Sequence, residues 1–93
     1  MIRREGDRLM IGGAVTLANV TGVLSRGLDE VRGGATQVDL AEITDLDSSL
    51  LAALLALIRE ARKAGHSLTL TNPPKGLTTL AQLYGVEALI PTA

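Results

Sequence analysis

At 93 residues, with 46% hydrophobic and 20% charged residues, the chain has the size and composition of one globular domain, and we expect residues 1–93 to form it. A net charge of −1 and a single aromatic residue, Tyr84, argue against nucleic-acid binding, which needs basic patches and stacking platforms. The absence of cysteine excludes a disulfide framework and a thiolate metal site.

The start of the sequence and its longest apolar run indicate a cytoplasmic protein. The opening MIRREGDRLMIGG is positively charged but lacks the apolar segment that a secretory signal needs. The longest apolar run, residues 50–58, is about half the length that a membrane-spanning helix requires. We therefore expect a soluble protein with no direct membrane insertion.

The first third of the chain predicts a β-hairpin and then a helix. Residues 2–5 and 8–11 have strand-like patterns, and the Gly-Asp pair between them suits a tight turn. Apolar residues then recur at three- and four-residue steps through residues 16–31, starting with Leu17, which predicts an amphipathic helix. A Gly-Gly pair ends this helix.

The rest of the chain alternates strands with helices. Residues 36–40 predict a short strand, after which an acidic connection leads to a long apolar helix that ends at Ala64. Residues 67–71 alternate as another strand, and residues 77–84 predict a third helix. The strand–helix–strand unit should place its two strands parallel. We expect an α/β fold with a small mixed sheet of about four to five strands and helices packed mainly on one face.

The long middle helix follows the motif DSS. It has more apolar residues than one buried face can hold. At about 100° per residue, the predicted core face consists of Leu50, Ala53, Leu54, Leu57, Ile58, Ala61 and Ala64. The outer sector carries Ser48, Leu51, Ala52, Leu55 and Arg59. Two interpretations stay open. Either a neighbouring loop or the first helix covers the outer leucines, or this sector binds a partner protein through an apolar centre edged by arginine.

The residues in front of this helix suit a helix start. Asp47 is the natural N-cap, because its carboxylate can accept hydrogen bonds from the free N–H groups of the first turn. Ser48 and Ser49 follow in that turn, where a phosphate would meet the positive end of the helix dipole but also the neighbouring carboxylates. Serine is also simply tolerated at a helix start. The residues alone therefore leave phosphorylation of Ser48 or Ser49 undecided.

Taken together, these segments resemble the STAS-domain family, to which the anti-sigma factor antagonists belong. The resemblance covers essentially the whole chain. It is carried by the strand VDL, the acidic loop, DLDSS, the apolar helix, SLTLTNPP and LAQLYGV. The ending TLAQLYGV is the more discriminating part and is similar to that of MlaB-type proteins, the STAS subunits of Mla phospholipid ABC transport systems. Leu50 departs from the family pattern, which usually has glycine there.

The resemblance implies a non-catalytic subunit that binds the ATPase of the transporter, in a complex that also contains a permease and a lipid-binding subunit. Such a subunit lies on the inner membrane through that complex and supports its role in maintaining outer-membrane lipid asymmetry. The resemblance implies that Ser48 matters for the ATPase contact. It also implies an alternative, an anti-sigma factor antagonist that a serine kinase switches at Ser49.

The sequence contains no group of residues that would support catalysis. His66 is the only histidine, and no metal-ligand spacing accompanies it. No serine lies in a G-x-S-x-G motif, and the Lys-Gly order in PPKGLTT is the reverse of that in a phosphate-binding P-loop. We therefore expect neither an enzyme nor a metal or cofactor site.

Overall fold

The computed structural model describes residues 1–92, and its first element is the predicted hairpin. Strands β1 (Ile2–Glu5) and β2 (Arg8–Ile11) pair antiparallel, with Glu5 opposite Arg8. Gly6 occupies the turn at φ 59°, a left-handed conformation that glycine adopts without steric cost. The prediction of this hairpin is confirmed.

Two parallel strands extend the hairpin into a mixed sheet. Strand β4 (Gln37–Asp39) pairs parallel with β2, and β6 (Thr69–Thr71) pairs parallel with β4, so that the strand order is β1-β2-β4-β6. Val38 lies opposite Leu9 on one side and Leu70 on the other, and all three side chains are buried. The predicted parallel strand–helix–strand unit is therefore present.

A second sheet lies where the sequence indicated connecting segments. Strand β3 (Gly13–Val15) pairs parallel with β5 (Ile43–Leu46), and β5 falls within the segment predicted as an acidic connection. Gly12 separates β2 from β3, and a Cβ atom there would lie 2.9 Å from the Cβ of Glu42, so the close approach requires glycine. The described residues thus form the predicted mixed sheet, which has four strands, and in addition a second sheet of two strands.

The helices are α1 (Val20–Arg32), α2 (Ser48–Lys63) and α3 (Lys75–Leu83), and a 3₁₀ turn (Glu87–Leu89) follows α3. Helix α1 begins at Val20 rather than at residue 16, so Leu17 lies in the preceding loop. Helix α2 packs against both α1 and α3. Both flanks of α2 are therefore covered by other parts of the chain.

The buried face of α2 is wider than the predicted core face. Its buried residues are Leu50, Leu51, Ala53, Leu54, Leu57, Ile58 and Ala61. Ala64, predicted to lie in the core, is instead the exposed C-cap residue. Helix α1 approaches α2 closely at Gly27, where a Cβ atom would lie 3.0 Å from Cδ2 of Leu57. No helix within residues 1–92 is both long enough and apolar enough to cross a membrane.

Candidate partner-binding site at the start of helix α2

Asp47 is the N-cap of α2, and it bonds to the first turn through one carboxylate oxygen. Its Oδ1 accepts a hydrogen bond from the backbone N–H of Ser49 at 2.8 Å and another from the Ser49 hydroxyl. This is the arrangement that a capping aspartate adopts, and it satisfies an N–H group that the helix itself leaves free. The cap predicted from the sequence is present.

The second oxygen of Asp47 fixes a neighbouring loop. Oδ2 accepts a hydrogen bond from the backbone N–H of Leu17 at 3.0 Å. The parallel register of β3 and β5 places Val15 opposite Leu46, so the residues that follow these two strands leave the sheet side by side. Leu17 therefore lies next to the first turn of α2.

These hydrogen bonds also set the charge state of the capping group. The Ser49 hydroxyl, and then the backbone N–H groups of Leu17 and Ser49, hold the pKa of Asp47 below its usual value. Each of these donors stabilises the ionised carboxylate. At neutral pH, Asp47 is therefore a fixed negative charge at the start of α2.

Of the five predicted partner-binding residues, Ser48, Ala52 and Arg59 are exposed, whereas Leu55 is half-buried. Leu51 is only 4% exposed and belongs to the hydrophobic core, so the prediction that it forms part of an open surface is wrong. At about 100° per residue, Leu51 falls outside the predicted core face. Helices α1 and α3, however, pack on both sides of α2 and bury a wider part of its surface. The open side of α2 is consequently narrower and less apolar than the sequence indicated.

The two serines differ in accessibility. Ser48 is exposed, and none of the described side chains bonds its hydroxyl. Ser49 is half-buried and its hydroxyl donates to the Asp47 carboxylate. A partner that approaches the start of α2 therefore meets Ser48 first.

The structure adds Leu17 to the candidate site, although the sequence placed this residue in the first helix. Leu17 is 79% exposed, which makes it the most exposed of the large hydrophobic side chains within residues 1–92. Its position in the apolar repeat of residues 16–31 suggested the buried face of α1. The only signal that could have found it is the cluster of Thr16 and Asn19 around it, because such polar residues favour a hydrogen-bonded loop over a helix.

Positive charge lies at the other end of α2. Arg59, Arg62 and Lys63 are exposed, and none of them forms an ion pair within the part of the chain that the structure describes. Asp45 and Asp47 lie at the N-terminal end. The exposed side of α2 therefore runs from negative to positive along the helix.

Three further exposed apolar residues lie at the end of α3 and in the turn that follows it. They are Leu83, Tyr84 and Leu89, which are 74%, 58% and 51% exposed. Tyr84, the C-cap residue of α3, is thus largely exposed. Leu83 has almost the same exposed fraction as Leu17, which makes it a matched control for mutagenesis.

The described residues contain no cluster of three or more His, Cys, Asp or Glu side chains that could hold a metal ion. The Nε2 atom of His66 lies 3.2 Å from the carbonyl oxygen of Val31 and thereby links the ends of α2 and α1. Asp39 binds Arg8, Ala41 and Asn72. These polar groups hold the fold together.

Comparison with solved structures identifies the class of fold. The chain superposes on the anti-sigma factor antagonist SpoIIAA in its unphosphorylated form with a TM-score of 0.73 and 17% identity, over 100% of this chain and 86% of that one. For Bacillus SpoIIAA in its phosphorylated form the TM-score is 0.70 at 16% identity, over 100% of this chain and 89% of that one. At this identity the likeness establishes the STAS fold alone.

Sequence comparison then gives the family. The family model described as "Mlab, STAS domain" matches residues 1–91. The chain is 35% identical over 85 residues to the intermembrane phospholipid transport system binding protein MlaB of Escherichia coli K12, which covers 91% of this chain and 87% of that protein. Haemophilus influenzae MlaB is 40% identical over 49 residues, 53% of this chain and 47% of that protein. The chain belongs to the MlaB-type STAS-domain family.

Proposed function

We propose that this protein is a non-catalytic STAS subunit that binds the ATPase of a Mla-type phospholipid ABC transporter. In this role it lies on the cytoplasmic side of the inner membrane, within a complex that includes a permease and a lipid-binding subunit. Its binding supports the assembly or activity of the transporter and hence outer-membrane lipid asymmetry. It contributes no catalytic group of its own.

The observation that carries this proposal is the exposed Ser48 at the start of α2 in a chain related to MlaB over most of its length. The hydroxyl is free to donate to and accept from a partner. Ala52 next to it leaves room for close approach, and Arg59 lies farther along the same side. An arginine beside a limited apolar area suits a protein–protein contact.

The direct test is co-purification of the full chain with the ATPase of the Mla-type transporter from the same organism. We expect Ser48→Glu to abolish co-purification, because it replaces a small neutral group by a larger charged one at the contact. Glutamate in the first turn of a helix is favourable to the helix dipole, so this variant should still fold. Circular dichroism and thermal unfolding check that it does.

Ser67→Glu is the matched control, because Ser67 is also exposed but lies beyond the C-terminal end of α2. It should co-purify with the ATPase as the wild-type chain does. If Ser48→Glu folds and still co-purifies normally, the proposed function loses its main support. If the wild-type chain itself does not bind the ATPase, the proposal is wrong.

The alternative function is that of an anti-sigma factor antagonist switched by phosphorylation at Ser49. The likeness to SpoIIAA motivates it, but the Ser49 hydroxyl is half-buried and bonded to Asp47, so a kinase would have to break the N-cap to reach it. Intact-mass measurement after incubation with ATP and a serine kinase from the same organism tests this alternative. We expect no added phosphate, and stoichiometric phosphorylation of Ser49 would favour the alternative.

A further inference from the structure

We propose that Leu17 is the apolar anchor of the docking surface, that it inserts into an apolar pocket of the ATPase next to Ser48, and that Asp47 holds it in position. This inference rests on the proposed function, since the partner is the same. It assigns the apolar centre of the contact to the loop before α1, in place of Leu51 on α2.

The loop that carries Leu17 is fixed by its own hydrogen bonds. The Thr16 N–H donates to Oδ1 of Asn19 at 2.9 Å, and the Asn19 side-chain amide donates to the Ala14 carbonyl at 2.7 Å. The Ala18 N–H donates to the Thr16 hydroxyl at 3.3 Å, and the Asn19 N–H donates to the Thr16 carbonyl at 3.0 Å. With the bond from Leu17 to Asp47, each of residues 16–19 takes part in a hydrogen bond, and the bonds to Ala14 and Asp47 reach beyond the loop.

A rigid loop with a leucine at its tip has a physical consequence for binding. A mobile loop loses backbone conformational entropy when a partner binds it. A loop that is already held in one conformation loses less, so that binding costs less free energy. Leu17 is 79% exposed, so most of its apolar surface is available to a partner. The backbone of the loop is thus held in a conformation that leaves the Leu17 side chain exposed, as an anchor for a partner requires.

The charges along α2 indicate the chemistry of the partner surface. Ser48 and Arg59 are eleven residues apart, which corresponds to about 16 Å along the helix axis. The partner surface should therefore present an apolar pocket for Leu17 and, about 16 Å from the point that faces Ser48, at least one carboxylate for Arg59. This arrangement also fixes the direction in which α2 lies on the partner, because the reverse orientation would place Asp45 and Asp47 against that carboxylate.

The test compares two leucines that have nearly the same exposure. Leu17→Ala and Leu83→Ala are measured for their dissociation constants with the same ATPase by isothermal titration calorimetry, using the full chain. We expect Leu17→Ala to weaken binding at least about tenfold, since burial of one leucine side chain contributes roughly that much or more. Leu83→Ala should remain within about twofold of wild type.

Asp47→Asn tests the positioning role. Asparagine still caps a helix, but its single acceptor oxygen cannot hold both the Ser49 and the Leu17 N–H groups. We expect weaker binding together with faster hydrogen exchange of the Leu17 amide, which a purely local effect on α2 would not produce. Slow exchange of this amide in Asp47→Asn would contradict the positioning role.

The outcomes separate this inference from the proposed function. If Ser48→Glu abolishes binding and Leu17→Ala leaves it unchanged, the anchor is wrong and the proposed function stands. If neither variant affects binding, or if Leu83→Ala has the larger effect, the docking surface lies elsewhere and the anchor is wrong. Only failure of the wild-type chain to bind the ATPase overturns the proposed function as well.

Discussion

A single carboxylate, that of Asp47, joins the two parts of the candidate docking surface. One oxygen caps α2 and the other holds the loop before α1, which brings Leu17 and Ser48 to the same place although they are far apart in sequence. Helix capping is a local property that a sequence motif predicts. The bond to Leu17 is non-local, and it depends on the parallel pairing of β3 with β5.

At the residue scale, Asp39 should make stability depend on pH. The N–H of Ala41 and the side-chain amide of Asn72, assisted by Arg8, hold the pKa of Asp39 below its usual value. A carboxyl group whose pKa is lower in the folded state contributes stability above its unfolded pKa and loses it as the pH falls through the folded value. We therefore expect the free energy of unfolding to be steady near neutral pH and to decrease below about pH 4.

Asp39→Asn tests this contribution by urea unfolding at pH 7 and at pH 3. Asparagine cannot accept all three hydrogen bonds, so we expect a loss of about 1 kcal/mol at pH 7 and a smaller difference between the two pH values. Asp29→Asn is the control, because the Asp29 side chain is 73% exposed. An unchanged pH dependence in Asp39→Asn would contradict the assigned role of this carboxylate.

At the element scale, we predict opposite changes in stability when two glycines of α1 are replaced by alanine. A Cβ atom at Gly22 would have no neighbour within 4 Å, whereas one at Gly27 would lie 3.0 Å from Cδ2 of the fully buried Leu57. Gly22→Ala should raise the free energy of unfolding by about 0.5 kcal/mol through helix propensity. Gly27→Ala should lower it by about 1 kcal/mol, because overpacking outweighs that gain. Equal effects of the two substitutions would show that Gly27 is not needed for helix packing.

The burial of Leu51 makes a further prediction for α2. Leu51→Ala should lower the free energy of unfolding by about 2–5 kcal/mol, as expected for a leucine removed from a core. Ala52→Ser, at the exposed neighbouring position, should change it by less than about 0.5 kcal/mol. Thermal or urea unfolding measures both. A stability change of similar small size for both variants would mean that Leu51 is not part of the core.

The elements differ in how far the sequence predicted them, and the reason is the range of the interactions that form them. The β1–β2 hairpin and the Asp47 cap depend on neighbouring residues, and both agree with prediction. Strands β3 and β5 have three and four residues and exist only because they pair with each other, so no local pattern marks them. Leu51 was expected on an open surface and is buried, whereas Leu17 was expected in the first helix and is exposed in a loop. Helical periodicity cannot predict either result, because it does not show which residues the neighbouring elements cover.

At the scale of the whole molecule, two exposed apolar regions lie within residues 1–92 besides the N-terminal Met1. One contains Leu17 beside Ser48, and the other contains Leu83, Tyr84 and Leu89. The first lies next to the N-terminal end of α2. The exposed side of that helix is negatively charged at this end and positively charged at the other. In the second, Glu87 is the one charged residue between Leu83 and Leu89. We therefore propose the first region as the contact with the ATPase.

Methyl NMR of the leucine-labelled full chain, with and without the ATPase, tests this assignment most directly. We predict that the methyl signals of Leu17 shift or broaden on complex formation, while those of Leu83 and Leu89 keep their positions. Unchanged Leu17 signals in the presence of saturating ATPase, or changes confined to Leu83 and Leu89, would contradict the account.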